Sequence, residues 1–224
     1  MGMTSATGPP GTPATQPAWK VGGATVLCFV ALLYLVEIVD QLSGHALDRN
    51  GIRPLETDGL WGVLFAPLLH ADWQHLLANT LPLLVLGFLV TLAGLARFVW
   101  ATAIIWILGG LGTWLIGDLG GCRLETNHIG ASGLIFGWLT FLLVFGWFTR
   151  HLWQIVVGLV VLFLYGGILW GAVPVLDGCG GVSWQGHLCG AVAGVLAAYW
   201  LSRPERAARE RSRTGSAGQL PGIT

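Results

Sequence analysis

The chain has 224 residues, of which 54% are hydrophobic and 10% charged, and its mean hydropathy is +0.70. Soluble domains carry about 25% charged residues, so this composition excludes a water-soluble globule and implies a polytopic membrane protein. The formal net charge of zero argues against a nucleic-acid partner and leaves the lipid bilayer as the expected surroundings.

Residues 1–19 carry no charged side chain and are rich in Pro, Thr and Gly. They read as a disordered tail with no cleavable signal peptide. Apolar runs follow at about 21–39, 76–96, 98–117, 130–148, 152–171 and 185–202. A spanning helix needs roughly 20 residues, so six are expected within a membrane domain of residues 20–202. The second and third runs meet at Arg97, and the fourth and fifth at Thr149-Arg150-His151, as tight turns. Residues 40–75 mix charges with Leu60, Trp61, Val63, Leu64 and Phe65, which suits a segment lying in the membrane interface. Residues 203–224 read as a basic tail, a stop signal followed by disorder.

Orientation follows from the basic residues. Lys20, Arg97, Arg150, Arg203, Arg206, Arg209, Arg211 and Arg213 fall on one side, against Arg49, Arg53 and Arg123 on the other. The positive-inside rule then makes both termini cytoplasmic. In that topology the second, fourth and sixth helices all begin at the outer face. His75 and Asn79 stand at the head of the second, Ser132 of the fourth and His187 of the sixth, all within two turns of the start and therefore at similar shallow depth.

His75 and Asn79 are four apart and share a helix face. The run Gly186-x3-Gly190-x3-Gly194 is a ridge of small residues that admits close approach of a neighbouring helix, and Gly133 and Gly137 form a second ridge. If the ridges meet, His187 comes within reach of Ser132 and can take its proton. Asn79, His75 and the Ser132 backbone N–H are suitable donors for an oxyanion. No carboxylate stands in a helix beside His187, so a dyad rather than a triad is expected.

Alone, a serine among glycines in a membrane helix reads as close packing. A histidine in such a helix is the more informative residue, because ionisable groups in lipid are costly. His70 reads as structural, orienting the loop before the second helix. Phe136 is either a platform for His187 or core filling. His45 and His151 read as ordinary interfacial residues. His70, His75, His128 and His187 are possible zinc ligands in principle, but no His-Glu-x-x-His motif is present and no metal is expected.

Taken jointly, His70-x4-His75-x3-Asn79, Gly130-x-Ser132-Gly133 and His187-x2-Gly190-x3-Gly194 resemble the rhomboid intramembrane serine proteases over roughly residues 20–202. The resemblance implies a six-helix bundle opening to the outer face. It implies Ser132 as nucleophile, His187 as general base, and an oxyanion site of His75, Asn79 and the Ser132 N–H, with Gly130 in the same motif. It implies no cofactor, and as substrate a transmembrane protein cut in or beside its spanning segment. Many members carry a Trp-Arg pair in the first outer loop, whereas here Trp61 is followed by Gly62.

Two further expectations concern access to the site. The glycine-rich stretch from Gly171 to Ser183 is a candidate cap, and the fifth helix with Gly166-Gly167 a candidate lateral gate. Cys122 and Cys179 fall in outer loops where a disulfide can persist, while Cys28 and Cys189 read as packing residues. The alternatives to an endopeptidase are a catalytically silent relative that binds membrane proteins, or a small transporter. A soluble α/β-hydrolase does not fit, since Leu134 stands where its Gly-x-Ser-x-Gly motif needs glycine.

Overall fold

The computed structural model describes residues 16–119, 126–174 and 182–217. Among these the chain is helical, with no strand and one isolated antiparallel bridge between Ile52 and His128. The helices are α1 (Ala18–Leu42), α2 (Trp73–Leu92), α3 (Leu95–Ile116), α4 (Ser132–Thr149), α5 (Leu152–Tyr165, running on as a 3-10 segment Gly166–Ala172), α6 (Trp184–Leu201) and α7 (Arg203–Ala217). The first six correspond to the six apolar runs.

Among the described residues five helices are long and apolar enough to cross a membrane: α1, α2, α3, α4 and Leu152–Ala172. The sixth expected span, α6, has 18 residues, but Gln185 and His187 in its first turn dilute its apolar character. Both are buried, because α6 lies against α4 and α3 instead of facing outward.

The starts of α2 and α6 are legible in local chemistry. Asp72 caps α2, its side chain accepting the His75 backbone N–H at 2.7 Å. Ser183 caps α6 in the same way, accepting from the Gly186 N–H at 3.1 Å. Such caps satisfy donors that the first helical turn leaves free. The α2–α3 turn closes at Gly94, whose φ of +116° suits glycine rather than a residue with a Cβ.

At the centre stands α4. Its Leu134, Ile135, Trp138, Leu139, Phe141 and Phe145 are buried, packed by α2, α3, α5 and α6 around it. Between apolar helices in lipid, dispersion and close contact replace the hydrophobic effect as the adhesive. The two glycine ridges do meet. A Cβ added to Gly190 would stand 2.1 Å from the Gly133 carbonyl oxygen, and one on Gly194 would stand 2.1 Å from that of Gly137. Hydrogen bonds lock the neighbouring contacts: Thr140 Oγ1 donates to the Ala191 carbonyl of α6 at 2.7 Å, and Trp138 Nε1 to Thr102 Oγ1 of α3 at 3.1 Å.

Residues 43–72 form short helical turns, with Asp48–Asn50, Asp58–Trp61, Gly62–Phe65 and Ala66–Leu68 in sequence. Two indoles of α3 hold this segment, Trp106 donating to the Val63 carbonyl at 2.9 Å and Trp114 to that of Glu56 at 2.8 Å. At Gly62, where a Trp-Arg pair would need arginine, a Cβ would meet the Gly51 backbone at 2.2 Å, so this loop path requires the smaller residue.

Two boundaries depart from the sequence reading. Ala18 and Trp19 belong to α1; residues 1–15 of the expected N-terminal tail lie outside the described residues. The expected disordered basic tail is instead helical over Arg203–Ala217. Arg209 of α7 donates to the carbonyls of Phe148 and Thr149, two acceptors that the C-terminus of α4 leaves free, and Glu205 pairs with Arg97. The candidate Cys122–Cys179 bridge and most of the candidate cap lie outside the described residues. Cys28 and Cys189 are free thiols.

Candidate active site

Ser132 is the first residue of α4, and its placement depends on the backbone just before it. The Gly130 N–H donates to the Ala66 carbonyl at 2.8 Å, and the Ala131 N–H points to His70 Nε2 at 3.4 Å. Gly130 has φ +116°, and a Cβ there would stand 2.7 Å from His75 Cε1 and 2.8 Å from His75 Nε2. Glycine is therefore required twice at this position, by the backbone conformation and by the imidazole that covers it. The His70 and His75 rings meet edge to face with centroids 5.1 Å apart.

Across the glycine seam, His187 Nε2 lies 2.8 Å from Ser132 Oγ, and His187 Nδ1 lies 2.9 Å from the Gly171 carbonyl oxygen. A carbonyl oxygen only accepts, so this contact puts the ring proton on Nδ1. Nε2 is left with its lone pair facing Ser132, whose hydroxyl donates to it. The Phe136 ring stacks on His187 at a centroid distance of 4.1 Å with the planes 9° apart. Phe136 is itself buried, so the ring that stacks on His187 also fills the core.

The Gly171 carbonyl was not anticipated as the orienting group. It belongs to the end of the 3-10 segment after α5, where carbonyls lack partners further along the chain. No sequence signal singles it out among 34 glycines. A small cavity of about 50 Å³ adjoins the serine, lined among others by Ile105, Trp106, Gly109, Ser132, Ser183 and Gly186. On its wall His128 Nδ1 and Ser183 Oγ are 2.6 Å apart, a second histidine–serine contact formed outside the three motifs.

Asn79 is buried and its amide donates to the His75 backbone carbonyl at 3.0 Å, which commits one of its two side-chain N–H groups to α2 itself. Gly190 and Gly194 form the α6 side of the seam. Gly133 lies opposite, with a hypothetical Cβ at an ordinary 3.5 Å from the Gly186 carbonyl.

His70 is 1% exposed. Burial, followed by the nearness of His75, lowers its pKa from 6.5 to about 3, which keeps the ring neutral and Nε2 able to accept from Ala131. In the unfolded chain the same group titrates near 6.5, so between pH 6.5 and 3 the unfolded state binds more protons. Its stabilising effect is complete above pH 6.5 and is lost as the pH falls. At pH 5 the loss amounts to roughly 2 kcal/mol. Burial lowers the pKa of His128 as well, adding to the same trend. Wild type is therefore expected to lose more thermal stability between pH 8 and pH 5 than a His70→Gln variant, which retains an acceptor but does not titrate. Equal losses would show that His70 is not the source.

The sequence profile of the Rhomboid domain matches residues 57–204, from the turn before α2 to the start of α7 and without α1. A Mycobacterium tuberculosis protein of uncharacterized function is 72% identical over 98% of this chain and 93% of its own length. A Mycobacterium leprae protein, also uncharacterized, is 65% identical over 88% of this chain and 78% of its own. More distantly, a Bacillus subtilis protein named "Putative rhomboid protease YdcA" is 38% identical over 36% of this chain and 39% of its own. With the domain profile covering more than half of its length, and the motif residues disposed as described, this chain belongs to the rhomboid family.

Proposed function

We propose that the protein is an intramembrane serine endopeptidase acting through a Ser132–His187 dyad. The observation that carries this reading is the directional chain from the Gly171 carbonyl through His187 to the Ser132 hydroxyl. It leaves the imidazole unprotonated on the nitrogen that faces the serine, the state a general base requires.

In the reaction, Ser132 Oγ attacks the carbonyl carbon of the scissile peptide bond while His187 Nε2 takes the hydroxyl proton. The resulting imidazolium is held by the Gly171 carbonyl and by the face of Phe136. The negative charge on the former carbonyl oxygen is received by the Ser132 N–H at the head of α4, by His75 and by Asn79, whose second amide hydrogen is available for it. His187 then gives its proton to the leaving amine, and the bond between carbon and nitrogen breaks. A water molecule, deprotonated by the same Nε2, hydrolyses the acyl-enzyme.

The substrate is a transmembrane protein, cut within or beside its span at a stretch with small or helix-breaking residues. The peptide must leave its helix to present a carbonyl, and the cavity beside Ser132 is small. The bundle spans a bacterial plasma membrane six times with α6 as the last span and both termini cytoplasmic, and the dyad opens to the outer face. Neither metal nor cofactor takes part.

The test is reconstitution of the wild-type chain in liposomes with single-span reporter proteins, together with a serine-directed phosphonate probe. The expected result is a cut in or next to the reporter span and a probe adduct on Ser132 by mass spectrometry. An inert wild type that also fails to take the probe would move the chain to the silent, binding class of the family.

A further inference from the structure

A second cluster of chemically able side chains stands at the same end of the bundle, where α1 gives way to the loop. Asp40 ends the buried face of α1, His45 follows in the turn, and Asp48 opens the first 3-10 segment. His45 Nδ1 is 3.2 Å from Asp40 Oδ2 and 3.5 Å from Asp48 Oδ2, and one ligand atom from each of the three residues lies within 4.8 Å of the others.

The independent observation is what these carboxylates lack. Asp40 is 1% exposed, and its Oδ1 is satisfied by the Leu47 N–H at 2.7 Å. Among the described residues, however, Asp40 Oδ2 and Asp48 Oδ1 are buried without a hydrogen-bond partner. One turn earlier on the same face, Glu37 is equally buried and its Oε2 is also unpartnered. An imidazole nitrogen carries at most one proton and can serve only one of the two aspartates. The nearby arginines are engaged elsewhere: Arg49 donates to the Ala46 carbonyl, and Arg53 pairs with Glu56 and Asp58. Two carboxylates thus face one imidazole, with Glu37 one turn away accepting only from Gln41 Nε2 at 3.1 Å, and buried charge of one sign calls for a counter-charge.

We propose that Asp40, His45 and Asp48 form a binding site for a divalent cation of the zinc type. A tetrahedral zinc with ligands at about 2.0–2.1 Å has edges of about 3.3–3.4 Å between ligand atoms, close to the 3.2 and 3.5 Å separations around His45 Nδ1. One imidazole and two carboxylates leave the fourth position for water. The Leu47 N–H fixes the Asp40 carboxylate so that Oδ2 alone is offered, as hydrogen bonds behind metal ligands commonly do. Imidazole favours zinc over magnesium and calcium, which take oxygen ligands. The site would clip the end of α1 to the loop whose Asp48 carbonyl accepts from Asn127 Nδ2 at 2.8 Å, five residues before Ser132.

The test uses the untagged full-length chain in detergent, stripped with chelator and titrated with zinc, calcium or magnesium alone. Expected are one equivalent of tightly held zinc and a rise in Tm of about 5 °C or more at a hundredfold excess over Kd. Zinc affinity should fall by about 100-fold or more in Asp48→Asn and in His45→Gln, which lie at the surface end of the cluster, but not in the exposed-histidine control His151→Gln. Failure of wild type to bind zinc overturns the proposal. So does binding that both variants leave intact, and calcium or magnesium binding as tightly as zinc removes the role given to His45. None of these readouts depends on proteolysis.

Discussion

Replacing Ser132 with alanine, or His187 with alanine or glutamine, is expected to lower cleavage of a membrane reporter at least about 10³-fold, and replacing both is expected to cost no more than replacing one. The second half of this result carries the mechanism. Ser132 and His187 share a 2.8 Å contact, and the proposed chemistry uses them in one event: the hydroxyl is a poor nucleophile until Nε2 removes its proton, and Nε2 has nothing to accept once Oγ is gone. Groups that act as a unit show such non-additivity in serine hydrolysis generally, with losses of 10⁴–10⁶ for single members of a soluble triad. Ser132→Ala removes one partly buried oxygen and should leave thermal unfolding almost unchanged, so loss of turnover there is not a folding artefact. Multiplicative losses in the double variant would mean that the two residues serve separate steps. Full activity in Ser132→Ala would place the nucleophile elsewhere.

Gly194→Val is expected to be the most damaging single change outside the dyad, with loss of more than about 3 kcal/mol of stability, or about 10 °C in Tm for a chain of this size. A Cβ at Gly194 would stand 2.1 Å from the Gly137 carbonyl oxygen and 2.3 Å from Thr140 Oγ1. The first is backbone and has no rotamer to retreat into. The helices α4 and α6 must part, which also breaks the Thr140–Ala191 bond and draws His187 away from Ser132. Gly190→Val acts on the same seam through the Gly133 carbonyl. Gly133→Ala provides the contrast, since its Cβ finds its nearest neighbour at 3.5 Å, so it should fold and retain most activity. Thermal unfolding and reporter cleavage measured on all three variants check the ordering. Equal behaviour of Gly133→Ala and Gly194→Val would refute the seam as the source.

The helices could be placed from the sequence because membrane spans leave long uninterrupted apolar runs, and the bounds shift by a few residues where Asp72 and Ser183 act as caps. The seam was legible because glycine at every fourth position of α6 has little other use in lipid. Helix α7 was missed for a physical reason: its arginines read as a solvated charge run, yet Glu205–Arg209 and Arg206–Glu210 stand at helical i,i+4 spacing, and Arg209 has the free carbonyls of α4 as partners. Sequence could not reveal the acceptor behind His187, because a backbone carbonyl carries no residue identity. It could not decide between the two roles of Phe136 either, since a platform and a core residue have the same composition and spacing. His45 looked unremarkable because its aspartate neighbours, five residues before and three after, only converge once α1 ends and the chain turns back.

The carbonyl behind His187 belongs to a different segment from the histidine itself. Gly171 lies in the 3-10 extension of α5, and α5 exposes much of its apolar surface, with Phe163 89% and Leu152 76% accessible. The tautomer of the proposed base is therefore set by a segment whose surface is little covered by the rest of the bundle. Any displacement of that segment, whether by an incoming chain or by thickening of the surrounding lipid, would release Nδ1 and let the ring proton redistribute. On the proposed mechanism, readiness to react would then report the position of α5, making bilayer thickness a dial on turnover even where Ser132 and His187 themselves are untouched.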